Sequence, residues 1–309
     1  MECVHAPNTV LSYRTGMRSF QKWADMYHIR KWWPPRERHL CLWLTHLVTY
    51  SQPRTSSPLK YSTVRSYLAA INSRMLEEGS AGVRHMKVLQ RFMKAVKRRV
   101  GTRAAKKRPI TLEDISLFPS NSQSDIVMRG IALVGFFGLM RINEVLSPDT
   151  TVENITFVGG DVARLYLPIS KTDPFRGGVG IYIPSNPNGL CAVSFLKKIV
   201  EYRGSGRIFV DEDGVPITRK KFVTWLKDNV RGDPSEYSGH SLRRGGAMAL
   251  SKAGCPIHLI KQWGRWKSDA VTEYLQIDLS TFREYGTKFH QLGSSKDSLQ
   301  WATSHIWGD

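Results

Sequence analysis

The stretch "HSLRRGG" at residues 240–246 sets His240 and Arg243 three positions apart. At the start of a helix this spacing points both side chains from one face on adjacent turns. The free amides and dipole of a helix N-terminus favour an anion too, and a phosphate suits all three features. Gly245 and Gly246 follow, where the backbone can come close to a partner. Arg244 points elsewhere by one residue and reads as a chance surface cation. Taken alone, the His240/Arg243 pair is equally compatible with an ordinary basic surface helix. Further along, "GRWKSDAVTEY" carries Trp266 and Tyr274, each of which by itself is most simply a packed aromatic. A lone basic residue, Arg141, stands near the end of an apolar run.

The elements that must position these residues follow from hydrophobic period. In "NTVLSYRTGMRSFQKWADMY", Val10, Tyr13, Met17, Phe20, Ala24 and Tyr27 recur at helical intervals, with Asn8 or Thr9 as N-cap and Pro34 and Pro35 ending the unit. Further helices are expected over "RERHLCLWLTHLVTY", "YSTVRSYLAAINSRMLEE" (stopping at Gly79) and "VRHMKVLQRFMKAVKRRV" (stopping at Gly101). The stretch "GTRAAKKRP" at 101–109 loses the apolar period and marks a basic linker. Beyond it, "SQSDIVMRGIALVGFFGLMRINEVL" reads as one long buried helix, capped at Ser124 or Asp125, with Arg141 near its apolar end. "ENITFVG", "ARLYLPIS" and "GVGIYIP" alternate in the manner of strands and suggest a small antiparallel sheet. Helices return from about residue 190. One spans "HSLRRGGAMALSK", stopped by Gly254 and Pro256; another ends at Gly264. Ser268 or Asp269 caps a last helix carrying Tyr274.

The chain has 309 residues, enough for two cored domains, and 41% hydrophobic with 23% charged residues argues against disorder. The longest apolar run, "IALVGFFGLM", is far short of the roughly 20 residues that span a bilayer, and no membrane partner is expected. No charged segment followed by an apolar stretch opens the sequence, so no secretory signal is expected. Cys3, Cys41, Cys191 and Cys255 are scattered without metal-ligand spacing, as reduced thiols of an intracellular protein would be. The net charge is +19, and residues 1–110 hold 22 Lys and Arg against 5 Asp and Glu, so nearly all the excess is N-terminal. A polyanion is the natural partner, because neutralising each phosphate releases condensed counterions. Lys94, Lys97, Arg98 and Arg99 on the last N-terminal helix, with Arg103, Lys106, Lys107 and Arg108 in the linker, are the expected contacts to a phosphate backbone. "KKR" near residue 106 reads more economically as a phosphate contact than as a nuclear signal.

In order, "GLMRINEVL", "SKTDPFRGG", "HSLRRGG", "GRWKSD" and "TEYL" resemble the tyrosine recombinase family of phage-integrase type. "GRWKSDA" is similar to the recombinases of eukaryotic DIRS-type and Crypton mobile elements; a nuclear location follows for a eukaryotic element, and a cytoplasmic or nucleoid one otherwise. The resemblance implies a mainly α fold (α+β): an all-helical core DNA-binding domain over 1–100, the 101–110 linker, a catalytic domain with a small antiparallel sheet over 111–290, and a tail over 291–309. It assigns Arg141 as the first active-site arginine, Glu144 as the acidic position a turn later and Lys171 as the lysine of the β-hairpin. His240 and Arg243 are the HxxR pair, Trp266 takes the histidine-or-tryptophan position, and Tyr274 is the nucleophile. Tyr274 follows Trp266 by one residue fewer than in many bacterial and phage relatives, and Tyr285 is its rival.

These residue types suit phosphodiester exchange. Guanidinium forks neutralise non-bridging oxygens without a metal, the part expected of Arg141 and Arg243. A phenol with a reference pKa of about 10 needs neighbouring cations and a proton acceptor, His240, to attack at neutral pH. Lys171 is the candidate acid for the departing 5′ oxygen, Trp266 donates its indole N–H, and Glu144 pairs with a cation. No ATP or metal is implied. The expected partner is double-stranded DNA, bound by a homotetramer on two duplexes, with "LSTFREYGTKFHQL" docking on a neighbour. Type IB topoisomerase-like relaxation and a non-catalytic DNA-binding role are the alternatives.

Overall fold

In the computed structural model, residues 7–50, 59–101, 107–169, 177–186 and 189–273 are described, and the chain divides into two units, Met1–Ala105 and Lys106–Asp309. The described part of the first unit is helical: α1 (Pro7–Met26), α2 (Glu37–Thr49), α3 (Tyr61–Glu77) and α4 (Lys87–Val100). Apolar residues at helical spacing drive all four inward. Phe20, Trp43, Leu44, Val64, Ile71, Leu89 and Val96 share one core. In α1, Val10, Phe20 and Ala24 are buried as their period requires, but Tyr27 is 52% exposed and Trp23 is buried in its place. The helix stops at Met26 and His28 adopts a left-handed φ of 52°, so the turn comes well before Pro34 and Pro35. A Cβ on Gly16 would come within 3.0 Å of Tyr67 Cα and Ala70 Cβ, so glycine is what allows α1 to lie close against α3.

The helix α4 begins four residues later than its apolar period, after a 3-10 turn at Val83–His85. Met86, at its N-cap, offers no side-chain acceptor, and the first turn is closed from another helix: Glu37 Oε1 accepts from Leu89 N at 2.8 Å. A carboxylate there also meets the positive end of the helix dipole. Leu89, Met93 and Val96 face the core, while Lys94, Lys97, Arg98 and Arg99 are exposed.

The second unit is built on α6 (Gln123–Phe137), preceded by α5 (Leu112–Leu117) and followed by α7 (Ile142–Val145). Strands β1 (Ile155–Val158), β2 (Val162–Leu167) and β3 (Val179–Pro184) form the antiparallel sheet in the order β1-β2-β3, with Leu165 opposite Ile155 and Ile181. Alternation sends Ala163, Leu165, Leu167, Ile181 and Ile183 into the core. Helices α8 (Ala192–Arg203), α9 (Arg219–Asn229), α10 (His240–Lys252) and α11 (Ile257–Gly264) complete the described part, and a 3-10 turn at Asp269–Glu273 ends it. The fold is thus mainly helical with one small antiparallel sheet, and among the described residues no helix is long and apolar enough to cross a membrane.

The long helix expected through Arg141 is two helices. Ser122 Oγ, not Ser124 or Asp125, caps α6 by accepting from Asp125 N at 3.1 Å. The helix stops at Phe137 because Leu139 takes a left-handed φ of 45°. A period of apolar residues cannot reveal that break, since both sides of it are buried. The expected Tyr274 helix also differs: residues 269–273 form a 3-10 turn, and Tyr274 lies outside the described residues.

Candidate active site

The break after α6 is what aims Arg141. Following Leu139, the chain turns so that Arg141 is the extended N-cap of α7, with φ −72° and ψ 143°. Glu144, three residues on, reaches back: its Oε2 accepts from Arg141 N at 2.9 Å and its Oε1 from Arg141 Nη1 at 2.6 Å. This is the carboxylate half of a capping box, since an arginine side chain cannot accept in return, and the same carboxylate orients the guanidinium of the N-cap residue. Thr150 Oγ1 donates to Glu144 O at 2.8 Å, securing the backbone beneath it.

Arg243 arrives from α10. That helix starts at His240 with Gly239 as its N-cap, so His240 is exposed in the first helical position and Arg243, one turn in, is only 3% exposed. Arg243 Nη1 donates to Leu139 O at 2.8 Å, and its Nη2 donates to Gly264 O. Its guanidinium carbon lies 4.0 Å from the centre of the Trp266 ring, a cation–π contact strengthened by exclusion of water. Gly264 makes this possible, because a Cβ there would collide with the Trp266 ring. Arg141, Glu144, Arg243 and Trp266 are therefore brought together by two turns, residues 138–141 and 264–266.

A further member of the cluster, Arg265, did not stand out in the sequence. Its Nη2 donates to both Leu139 O and Glu144 Oε2, each at 3.2 Å. The only local signal is the string "GRW", since the contact spans 121 residues to Glu144. Burial pushes the Glu144 carboxyl up, but Arg265, the Arg141 N–H and the Arg141 guanidinium together hold it below its ordinary value of 4.5. Burial lowers the Arg265 pKa, with Glu144 partly restoring it, and a guanidinium so placed remains charged. Because the folded carboxyl titrates below the unfolded one, Glu144 contributes stability that is complete above about pH 4.5 and is lost as pH falls through the depressed value. Calorimetry should accordingly show the melting temperature of the second unit falling less steeply below pH 5 in Glu144→Gln than in the wild type.

The two arginines of "HSLRRGG" part company. Arg244, read from sequence as a surface cation, is 5% exposed and donates from Nη1 to Lys107 O at 2.8 Å. The backbone of 107–110 is held by the same region, with Arg108 N on Glu236 O at 2.8 Å and Ile110 N on Ser241 O at 3.0 Å. Lys107 Nζ donates to Ser235 O at 2.5 Å, and Arg108 lies 3.9 Å from Glu236 Oε2 and over the Tyr237 ring. Gly245 and Gly246 approach protein: a Cβ on either would collide with the Ile110 or the Phe136 carbonyl oxygen. Lys171, Tyr274, Tyr285, Arg103 and Lys106 fall outside the described residues. Among the described residues, no group of three or more His, Cys, Asp or Glu is arranged to hold a metal ion.

The profile of the phage integrase family matches residues 108–278, which contain this whole cluster. The chain belongs to the phage integrase family. The profile of the phage integrase N-terminal SAM-like domain matches residues 1–74, within the first unit of this integrase-family chain. No curated protein sequence matches it. Among solved structures, the Tn1549 transposon integrase in complex with circular intermediate DNA is similar at TM-score 0.59 and 15% identity, over 92% of this chain and 94% of that one. XerH site-specific recombinase bound to palindromic difH substrate gives TM-score 0.63 at 14% identity, over 91% and 80% of the two chains. A lambda integrase dimer bound to a COC′ core site gives 0.56 at 16% identity, over 89% and 93%. At these identities the likeness is one of fold.

Proposed function

We propose that this integrase-family chain is a site-specific DNA recombinase that cuts and rejoins duplex DNA through a 3′-phosphotyrosyl intermediate, serving the integration or transposition of a mobile element. The observation that carries the reading is the convergence of Arg141 and Arg243, 102 residues apart, on the Leu139–Glu144 turn, each through hydrogen bonds that fix its guanidinium. Fixed guanidinium groups from separate elements are what a phosphorane transition state requires, because its charge grows on oxygens that water would otherwise solvate. The Tyr274 oxygen forms a bond to phosphorus as the bond to the 5′ oxygen breaks. The phenolic proton passes to His240, and Lys171 protonates the leaving oxygen. The phosphodiester energy stays in the tyrosyl link, so a 5′ hydroxyl from another end reverses the step without ATP.

The structures of similar fold include a transposon integrase on a circular DNA intermediate and a recombinase on its substrate, which supports DNA as partner and a mobile element as the setting. The "GRWKSDA" string supports the DIRS and Crypton group. Assembly is proposed as a homotetramer on two duplexes. The decisive experiment is covalent capture on nicked duplexes with a randomised centre, followed by mapping of the DNA-linked peptide: an adduct on a tyrosine supports the reading, and binding without any adduct sinks it.

The exposed face of α4 is proposed as the main electrostatic contact with DNA. Replacing Lys94, Lys97, Arg98 and Arg99 with alanine should weaken binding to all sequences alike. For each phosphate no longer neutralised, the slope of log K against log salt should become shallower by about 0.9. Fluorescence anisotropy across a salt series measures this, and an unchanged slope would remove α4 from the interface.

A further inference from the structure

Arg265 occupies a costly position. It is the C-cap of α11 with a left-handed backbone, φ 59° and ψ 41°, which non-glycine residues rarely adopt. Its side chain is 13% exposed, and its Nε and Nη1 are buried without a hydrogen-bond partner among the described residues. Each such donor forfeits its hydration for nothing in return, and a buried ion pair gives little net stability against a well-packed apolar residue. Stability alone does not account for an arginine here.

Its contacts point to another role. Glu144 is shared, with Oε1 on Arg141 Nη1 and Oε2 on both Arg141 N and Arg265 Nη2. The Leu139 carbonyl is shared as well, between Arg243 Nη1 and Arg265 Nη2. Among the described residues, Arg265 is thus the side chain that bonds both to the carboxylate on Arg141 and to one of the two carbonyls on Arg243.

We infer that Arg265 is a positioning residue for strand cleavage, which holds Glu144 and the Leu139 carbonyl so that Arg141 and Arg243 are aligned before DNA arrives. The inference rests on the recombinase reading above. Without Arg265, Glu144 keeps Arg141 as its partner among the described residues, and the Leu139 carbonyl, one of the two that hold Arg243, loses its second donor. The guanidinium groups then keep their charge but lose their alignment, which affects the transition state more than the bound substrate.

Arg265→Gly is the sharp test, because glycine tolerates the left-handed backbone and so preserves the turn. On nicked duplexes selected from the randomised pool by wild-type capture, Arg265→Gly should bind within about threefold of wild type. It should form adduct about 10- to 100-fold more slowly, the rate equivalent of one charged hydrogen bond. Arg265→Lys should recover part of the rate by restoring the charge. Glu144→Gln combined with Arg265→Gly should be little worse than the poorer single variant, since both act through one carboxylate. Wild-type rates in Arg265→Gly would overturn the inference, as would a rate loss matched by equal losses of DNA affinity and melting temperature in both the Gly and Lys variants. Failure of the wild type itself to form any adduct would instead overturn the recombinase reading.

Discussion

Tyr274→Phe should bind DNA as tightly as the wild type and leave no covalent adduct on nicked duplexes. The substitution keeps the ring and removes the single oxygen that would bond to phosphorus, so the expected loss of adduct is at least about a thousandfold, more than any supporting contact could supply. Tyr274 is preferred to Tyr285 on the likeness of "GRWKSDAVTEY" to the mobile-element recombinases, and both tyrosines lie outside the described residues. Trp266 packs on Arg243, Lys261 Nζ holds Asp269 Oδ1 at 2.7 Å, and Val271 is fully buried, so the chain is anchored to the arginine cluster up to the residues just before position 274. Tyr285 lies eleven residues further on. Denaturing electrophoresis of trapped complexes distinguishes the two: loss of the adduct in Tyr285→Phe, with retention in Tyr274→Phe, would reassign the nucleophile.

The fold was legible wherever one face of an element is wet. Strand alternation located β1, β2 and β3, and helical spacing located α2 and α3, because each has a buried side whose period water enforces. Where burial surrounds an element the period vanishes, which is why "IALVGFFGLMRINEVL" hid the turn at Leu139 that aims Arg141. The start of α4 was obscured for a related reason: its first-turn acceptor is Glu37 on another helix, and no local capping residue marks it. In the site, Arg141, Glu144, Arg243 and Trp266 came from ordered motifs, and the structure brings all four together. Arg265 and Arg244 were not legible, since their acceptors at Glu144 and Lys107 lie more than a hundred residues away. A single sequence carries no mark of such a pairing. Gly245 and Gly246 were misread in the same way: the close approach they permit is real, but it is to the protein's own carbonyls.

That close approach has a consequence as large for stability as Tyr274 has for chemistry. Gly245→Ala should unfold the second unit while leaving the first intact. A methyl group at residue 245 would be driven into the Ile110 carbonyl oxygen, with Ile110 C and N both near it at 2.9 and 3.1 Å. Those atoms belong to backbone that cannot rotate away. The Ile110 N–H already donates to Ser241 O at 3.0 Å, and Arg244 grips Lys107 three residues earlier. Moving the 107–110 segment outward would break these bonds together and expose Ile110, which is fully buried. Overpacking against a fixed neighbour costs about 3 kcal/mol, and the broken hydrogen bonds add to it, enough to consume a large share of a domain's usual stability. Gly246→Ala, whose methyl would meet the Phe136 carbonyl, should behave alike. A two-transition melt read by circular dichroism should lose or lower only the transition of residues 106–309, and salt-dependent DNA binding by the first unit should survive. Normal melting in Gly245→Ala would mean that α10 does not pack on Ile110 as described, and with it would go the placement of His240 and Arg243 that the site requires.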